Sequence, residues 1–566
     1  MSQSRFLDFP VFLLSASGLF LSLNGCGGGA NTPLLSSPAP TYALAVSPLD
    51  PNPVGAGGSA TSMVSVTAAD GYTGNVTLAC TSITGGGTPA PTCSFGTNPV
   101  AITRAVADTS TLTVSTSIAT PDATYAITVS GSDASHLAPS NGPEDISLTT
   151  VVKIEHIVII FQENRTPDNL FHGLPNADIA DTGMNSLGQM IPLEPIPLAN
   201  SYDLGHRHSD FLLMYNNGKM DGANKVTACT PNSSGCPPNP QFQYVDPSDV
   251  APYFQLAQQY TFGDRMFQTN QGPSFPAHQF ILSGTSAPTA TSNLFAAENT
   301  NGGTGCTAPS TAWVWMIDPS SKESSTTYPC FEHQTLTDLL DSAGISWKYY
   351  TPSPGSGWTA PNAVQHICGP VDSRCVGPDW VKNVILRNTQ VLTDISNAQL
   401  PAVSWVIPTG QASDHAGFND GTGPSWVASI VNAIGGSPYW TDTAVIITWD
   451  DWGGWFDHVP PPQVINDGTS WGSGYVYGFR VPLIVVSPYA KAGYISHVTH
   501  DFGSILKFIE EVFGLSTLGY ADARADDLSD CFNFNQTPLQ FQTIEAPWSK
   551  EHFLNDRRPP ADPDDD

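Results

Sequence analysis

The chain has 566 residues, of which 20 are Lys or Arg and 50 are Asp or Glu, for a formal net charge of -30. So acidic a balance excludes a nucleic-acid binder, which needs a basic footprint. It also requires that any anionic substrate be held locally, by a metal or a few cationic groups, against the field of the whole molecule. Only 12% of residues are charged while Gly and Pro number 50 and 49, which is the composition of a turn-rich, β-containing exported protein. Single cores seldom exceed ~250–300 residues, so two or more domains are expected.

Residues 1–25 carry Arg5 and an apolar stretch over 9–23. That stretch is too short to span a bilayer and suits a signal-peptide core. Leu23-Asn24-Gly25-Cys26 resembles the bacterial lipobox, which makes Cys26 the candidate lipidation site. The chain is therefore expected to be exported, either secreted or held at the cell envelope by an N-terminal lipid anchor. The alternative is an ordinary signal peptide cleaved nearby. Residues 26–41 read as a flexible tether.

Residues 42–150 are rich in Thr, Ser, Val and Gly and alternate with period two over 59–66, 75–79, 110–114 and 124–129. Turn signals at Asp70-Gly71 and Pro121-Asp122 separate these runs. The pattern predicts a small antiparallel β-sandwich, immunoglobulin-like in size, serving as a spacer or adhesion module.

Over 151–550 the character changes. Strand-like runs at 157–161, 402–407, 444–448 and 483–486 alternate with helix-like segments at 336–343, 426–434 and 503–512. Alternation of this kind predicts a layered α/β domain with a largely parallel sheet. The acidic tail, 551–566, reads as disordered. Close cysteine pairs, Cys80/Cys93, Cys229/Cys236, Cys306/Cys330 and Cys368/Cys375, read as disulfides stapling loops, with the connectivity left open by spacing alone. Cys531 is left over and reads as a buried free thiol, since nothing around it would lower its pKa.

Three segments carry chemistry. Asp450 and Asp451 follow the apolar run 444–447 and precede Gly453-Gly454 and Asp457-His458. Adjacent carboxylates repel unless a cation or a shared proton neutralises them, and strand C-terminal ends are where open α/β sheets bind ligands. Glu163 and Asn164 likewise follow the run 157–161, and both are hard oxygen donors suited to a divalent cation. Ser274, in Gly272-Pro273-Ser274-Phe275-Pro276, sits on a rigid turn that can fix a hydroxyl at the head of a helix, where an alkoxide costs less, although such a Ser by itself is usually a turn or N-cap residue. This is not a Gly-x-Ser-x-Gly elbow.

Blander readings apply elsewhere. Core packing explains at least two of Trp449, Trp452 and Trp455 better than a pocket lining does. His497 and His500 suit capping or surface roles better than a pocket, and Asp501 is either a helix cap or a pocket acid.

With these residues in place, the chain resembles the bacterial phosphoesterase family that includes phospholipase C and an acid phosphatase, a branch of the alkaline-phosphatase-like superfamily. The resemblance covers about residues 151–515. It runs through Glu163 to Asp168, His206-Arg207-His208, Tyr215 to Gly222, Gly272 to Pro276, Asp414-His415, Thr448 to His458, and Arg480 to Pro488. It implies Ser274 as nucleophile beside one divalent metal (Ca, Mg, Mn or Zn) held by Glu163, Asn164, Asp450 and Asp451, with Ser274 close to it. It further implies His206, His208 and His415 for phosphoryl contacts or leaving-group protonation. Asp457, His458 and Lys219 would touch substrate or support the site from behind.

The departures are Pro167 where an aromatic is common, Asn169 where His is common, and Pro276-Ala277 after a Ser rather than a Thr. The implied activity is hydrolysis of phosphate esters, phospholipase C-like on phosphodiesters, with phospholipid as a possible substrate. The alternatives are an acid phosphatase acting on monoesters, or a non-enzymatic surface lipoprotein binding polysaccharide through the sandwich. Oligomeric state is left open.

Overall fold

The computed structural model describes residues 38–103, 107–151, 153–229, 236–464 and 476–560. The signal segment, Cys26 and most of the tether lie outside them. Strands Thr41–Val46, Ser59–Ala69, Asp108–Ser115 and Thr92–Phe95 form one N-terminal sheet. Val54–Gly55, Glu144–Val151, Thr124–Ser132, Gly74–Thr84 and Val100–Ile102 form a second. The period-two alternation puts Leu44, Val64 and Leu112 of the first sheet into one buried cluster with Leu78, Ile127 and Leu148 of the second. Cys80–Cys93 bonds a strand of one sheet to a strand of the other.

The larger part of the chain is built on a nine-stranded sheet. Its centre is the strand His156–Gln162, parallel to Val403–Val406 on one side and to Thr443–Trp449 on the other. Every residue of Thr443–Trp449 is buried, as a strand covered on both faces requires. The expected parallel arrangement is interrupted once: Arg480–Val486 runs antiparallel to both of its neighbours, Thr443–Trp449 and Thr261–Phe267. The sheet is therefore mixed. In the central pair Gln162 stands opposite Trp449, so both chains leave the sheet at the same end and side by side.

Helices Leu336–Ala343, Gly423–Gly435 and Phe502–Phe513 cover the three helix-like segments read from sequence. Asp501 caps the last of them, sharing a capping box with Ser504. Four disulfides join the four close cysteine pairs, and Cys531 is free and buried. Burial pushes its thiol well above the ordinary range, with nearby Asp530 adding to the effect.

The tail departs from expectation. Lys550–Asn555 is helical, and its buried Phe553 meets Trp426 edge-on with ring centroids 5.3 Å apart. The segment itself is near neutral, with Lys550 beside Glu551, and Phe553 and the half-buried Leu554 both pack on the main core. Among the described residues no helix is long and apolar enough to cross a membrane.

Candidate active site

The two central strand ends deliver their acids to one place. Beyond Gln162 the backbone turns sharply, with Asn164 in the left-handed region at φ 65°. Its N–H donates to Asp450 Oδ1 at 3.0 Å, and the N–H of Asp451 donates to the same oxygen at 2.7 Å. The N–H of Gly453 donates to Asp451 Oδ1 at 2.6 Å. Each aspartate thus has one oxygen tied to backbone, which fixes its other oxygen in direction. Gly453 (φ 61°) is required here, because a Cβ would lie 2.3 Å from the carbonyl oxygen of Asn164.

Ser274 is the first residue of the helix Ser274–Ser283. The turn before it is held by side chains: Gln268 Nε2 and Asn270 Nδ2 donate to the carbonyl of Gly272 at 3.0 and 2.9 Å. Gly272 lies so close to Ala297 that a Cβ would come within 1.9 Å of its carbonyl oxygen. Ser274 Oγ lies 3.3 Å from Glu163 Oε2 and from Asp451 Oδ2, so its one proton is shared between two carboxylates. The whole set, Glu163, Asn164, Ser274, Asp450 and Asp451, is 0% exposed.

The donor set suits a divalent cation. Ligand atoms of Glu163, Asp450 and His278 lie within 4.8 Å of one another. Among the described residues, Asp450 Oδ2 and Asn164 Oδ1 are buried oxygens with no hydrogen-bond partner. Buried carboxylate oxygens without partners are costly, and a hard cation satisfies them. His278 is the residue that sequence reading passed over. It stands four positions after Ser274, hence on the same face of the helix, and its Nε2 lies 3.3 Å from Glu163 Oε1. The i, i+4 spacing was the signal that could have found it.

The three candidate histidines part company. His206 is half-buried, with Nε2 3.3 Å from the Asn164 side-chain nitrogen and Nδ1 on the carbonyl of Leu204. His415 is buried, its Nδ1 on the carbonyl of Ala416 at 2.8 Å, and its ring meets that of His206 edge-on at 5.7 Å. His208 instead has both ring nitrogens on carbonyl oxygens, Gln271 at 2.9 Å and Ser321 at 2.8 Å. That position clamps two loops and offers neither lone pair to Ser274. Lys219 is exposed on the turn after the helix His208–Tyr215 and bonds within that turn.

Asp457 and His458 belong to a separate network, buried at Asp168, Asp457 and Arg480 and half-buried at His458 and Asp178. Arg480 Nε donates to both oxygens of Asp457 at 3.0 Å, and its Nη2 lies 3.2 Å from Asp168 Oδ1. His458 bonds Asp168 at 2.8 Å and Asp178 at 3.1 Å. Burial raises the Asp457 pKa to about 6 despite Arg480. For His458, burial lowers the pKa but the bonds and charge of Asp168 outweigh it, and the result is about 9.

Trp449, Trp452 and Trp455 are all fully buried: Trp449 donates to Asp414 at 2.9 Å, Trp452 packs on Phe479, and Trp455 stacks under Arg165 at 4.9 Å. A second hydroxyl–imidazole–carboxylate array, Ser496–His500–Asp526, has Ser496 Oγ 3.1 Å from His500 Nε2. Ser496 donates its proton to Asp530 instead, and both it and His500 are buried, so the array is a structural bond chain.

A buried hydroxyl aimed at carboxylates on neighbouring strand ends defines a site for polar chemistry in an α/β enzyme scaffold, and known proteins resemble the chain across the part that holds it. The Phosphoesterase family model matches residues 154–516, and the chain belongs to that family. It is 26% identical over 440 residues to a non-hemolytic phospholipase C of Pseudomonas aeruginosa, covering 67% of this chain and 57% of that protein. It is 26% identical over 457 residues to a non-hemolytic phospholipase C of Burkholderia pseudomallei, covering 68% and 60%. It is 27% identical over 437 residues to phospholipase C B of Mycobacterium tuberculosis, covering 68% and 78%. The chain thus spans less than two thirds of the length of the first two. A solved alkaline phosphatase superfamily structure from Vibrio parahaemolyticus aligns over 66% of this chain and 70% of its own, at 12% identity and a TM-score of 0.29, which is too distant to add to the fold described above.

Proposed function

We propose that the protein is an exported, metal-dependent phosphoesterase that hydrolyses phosphodiesters in the manner of a phospholipase C, with Ser274 as nucleophile. The observation that carries this reading is the pair of 3.3 Å contacts from Ser274 Oγ to Glu163 and Asp451 at a helix N-terminus. Glu163, Asn164, Asp450 and Asp451, with His278 beside Glu163, would hold the divalent ion. Once bound, the ion supplies a lowered pKa for the Ser274 hydroxyl and neutralises phosphoryl oxygens.

The residues then divide the work. Ser274 Oγ attacks phosphorus, its proton passing to a carboxylate it already faces, while the bond to the leaving alcohol breaks. The helix N-terminus favours the phosphoryl oxygens. His206, backed by His415, gives a proton to the departing oxygen. Water then cleaves the Oγ–P bond, restoring the serine and releasing a phosphomonoester. The alkaline-phosphatase-like superfamily is the fold ancestry consistent with this arrangement.

Four disulfides support an oxidising compartment and hence export. We read the N-terminal pair of sheets as an immunoglobulin-like spacer, between a lipid anchor at Cys26 and the domain that carries Ser274.

The test is turnover of p-nitrophenyl phosphorylcholine and p-nitrophenyl phosphate, with and without chelator. The diester is expected to be cleaved, chelation to stop it, and Ser274→Ala to lower kcat by about 10³-fold or more. Preference for the monoester would favour the acid-phosphatase reading, for which the Ser at position 274 is the supporting feature. Full activity in Ser274→Ala would refute the nucleophile.

A further inference from the structure

Of the fourteen large apolar side chains that are well exposed among the described residues, five are Met184, Leu187, Met190, Leu212 and Leu213. They come from two segments that the structure binds together. The hairpin formed by Thr182–Met184 and Met190–Pro192 pairs Met184 directly with Met190, so both side chains share one face at its last rung. Leu187, 76% exposed, stands in the turn beyond them. That turn is kept rigid by Asn185, whose side-chain oxygen accepts from the N–H groups of Leu187 and Gln189, both at 3.0 Å.

The N–H of Ser186 donates to Asn224 at 2.9 Å, and the same asparagine donates back to the Ser186 hydroxyl at 3.0 Å. Two residues before Asn224, the N–H of Gly222 donates to the carbonyl of Met214, in the helix His208–Tyr215 that exposes Leu212 and Leu213.

Two further observations say what this surface meets. The cations here are Arg207, Lys219 and Lys225, all exposed, in a chain with 20 cations against 50 acids. The acids flanking the hairpin strands, Asp181 and Glu194, are exposed but stand at its base, away from the Met184–Met190 rung, while Asp210 accepts from the N–H of Arg207 and Asp221 from Asn216. Apolar tips flanked by long basic side chains match a bilayer, where the tips enter the acyl boundary and the ammonium groups remain at the phosphates.

The hairpin is also rooted on the site. Gly183 lies against Phe456, with room for no Cβ (2.5 Å), and Leu193 shares a buried cluster with Trp452 and Phe456. Both aromatics belong to the block that carries Asp450 and Asp451, so a surface held by the hairpin is held in fixed relation to Ser274.

We propose that Met184, Leu187 and Met190, with Leu212 and Leu213 and the flanking Arg207, Lys219 and Lys225, form a docking surface for a phosphatidylcholine bilayer. The inference rests on the phospholipase C-like reading, naming the surface by which that site reaches a lipid.

The experiment is co-sedimentation with phosphatidylcholine vesicles of the full chain carrying Cys26→Ser throughout, which removes the proposed lipid anchor from every protein compared, wild type included, read beside turnover of soluble p-nitrophenyl phosphorylcholine. Wild type is expected to pellet with vesicles. Leu187→Asp is expected to weaken vesicle binding roughly tenfold or more, since it removes one buried Leu equivalent, while leaving soluble turnover unchanged. Leu212→Glu provides a second variant on the other segment, with the same expectation. The proposal is overturned if wild type stays in the supernatant, or if both variants pellet as wild type does. It is also overturned if the patch proves to be a dimer interface, seen as self-association in sedimentation velocity that Leu187→Asp abolishes without any vesicle binding. Loss of soluble turnover in wild type would sink the phosphoesterase reading instead, and vesicle binding would still report on this surface.

Discussion

The N–H of Asn164 donates to Asp450 Oδ1 at 3.0 Å, joining residues 286 positions apart at the ends of two paired parallel strands. The bond fixes the carboxylate while leaving Oδ2 buried with no hydrogen-bond partner among the described residues. Asp450→Asn keeps the Oδ1 acceptor and removes a negative charge. It is expected to lose bound divalent metal by elemental analysis while folding normally. Wild type is expected to gain thermal stability from added metal, by about 2.7 kcal/mol at a hundredfold excess over Kd, and Asp450→Asn to gain almost none. An equal metal content in the two proteins would remove Asp450 from the ligand set.

The two histidines of the His206-Arg207-His208 block have opposite fates. His206 abuts Asn164, whereas His208 spans the carbonyls of Gln271 and Ser321. His206→Gln is therefore expected to lower kcat by about 10²-fold or more with little change in Tm, the size of a lost general acid. His208→Ala is expected to lower Tm first, because the buried carbonyl of Gln271 and the half-buried carbonyl of Ser321 lose the imidazole that spans them, at about 1–3 kcal/mol. The reverse pattern, measured by kinetics and thermal melts on both variants, would exchange the roles.

How much of this was legible follows from the range of each interaction. Both strand ends could be read because the apolar runs 157–161 and 444–447 give way within three residues to acids, Glu163 and Asp450. Ser274 at a helix head could be read because Gly-Pro before it is a local signal. The cysteine pairs were legible from closeness in sequence, and the structure joins each of them.

Long-range electrostatics left no such mark. His458 was read as a supporter of Asp450 and Asp451, yet its bonds go to Asp168, 290 positions away, and to Asp178. The reversal of strand Arg480–Val486 was equally silent, since an all-buried strand has the same composition in either direction. The helix Lys550–Asn555 was silent as well, because six residues with Phe553 and Leu554 as their apolar positions are too short for a periodic signal.

The Asp168–His458 bond predicts a pH signature. His458 is held at about 9 in the folded protein against an ordinary 6.5. A histidine raised on folding contributes stability that is fully present below about 6.5 and is lost as pH rises through about 9. Wild-type Tm is thus expected to fall across this window, and His458→Gln to flatten part of the fall. His366, raised to about 9 first by its bond to Asp338, adds a similar contribution in both proteins, so the difference between the two melts isolates His458. Parallel Tm curves for the two would show that His458 titrates alike in the folded and unfolded chains.

Gly453 offers the sharpest test of how the two strand ends are kept in register. It combines φ 61° with a would-be Cβ 2.3 Å from the Asn164 carbonyl oxygen, a backbone atom that cannot rotate away. Gly453→Ala therefore adds ~1–3 kcal/mol of backbone strain and also pushes the Asn164 turn away from Asp450. The expected result is a lower Tm together with a loss of activity of about 10²-fold, the penalty for misplacing reacting groups by ~1 Å. Gly173→Ala is the control, because Gly173 has φ 83° but nothing within 4 Å of its would-be Cβ. It should show the strain in Tm and keep the activity. If Gly453→Ala loses no more activity than Gly173→Ala, the contact between Gly453 and Asn164 does not hold the acids in place.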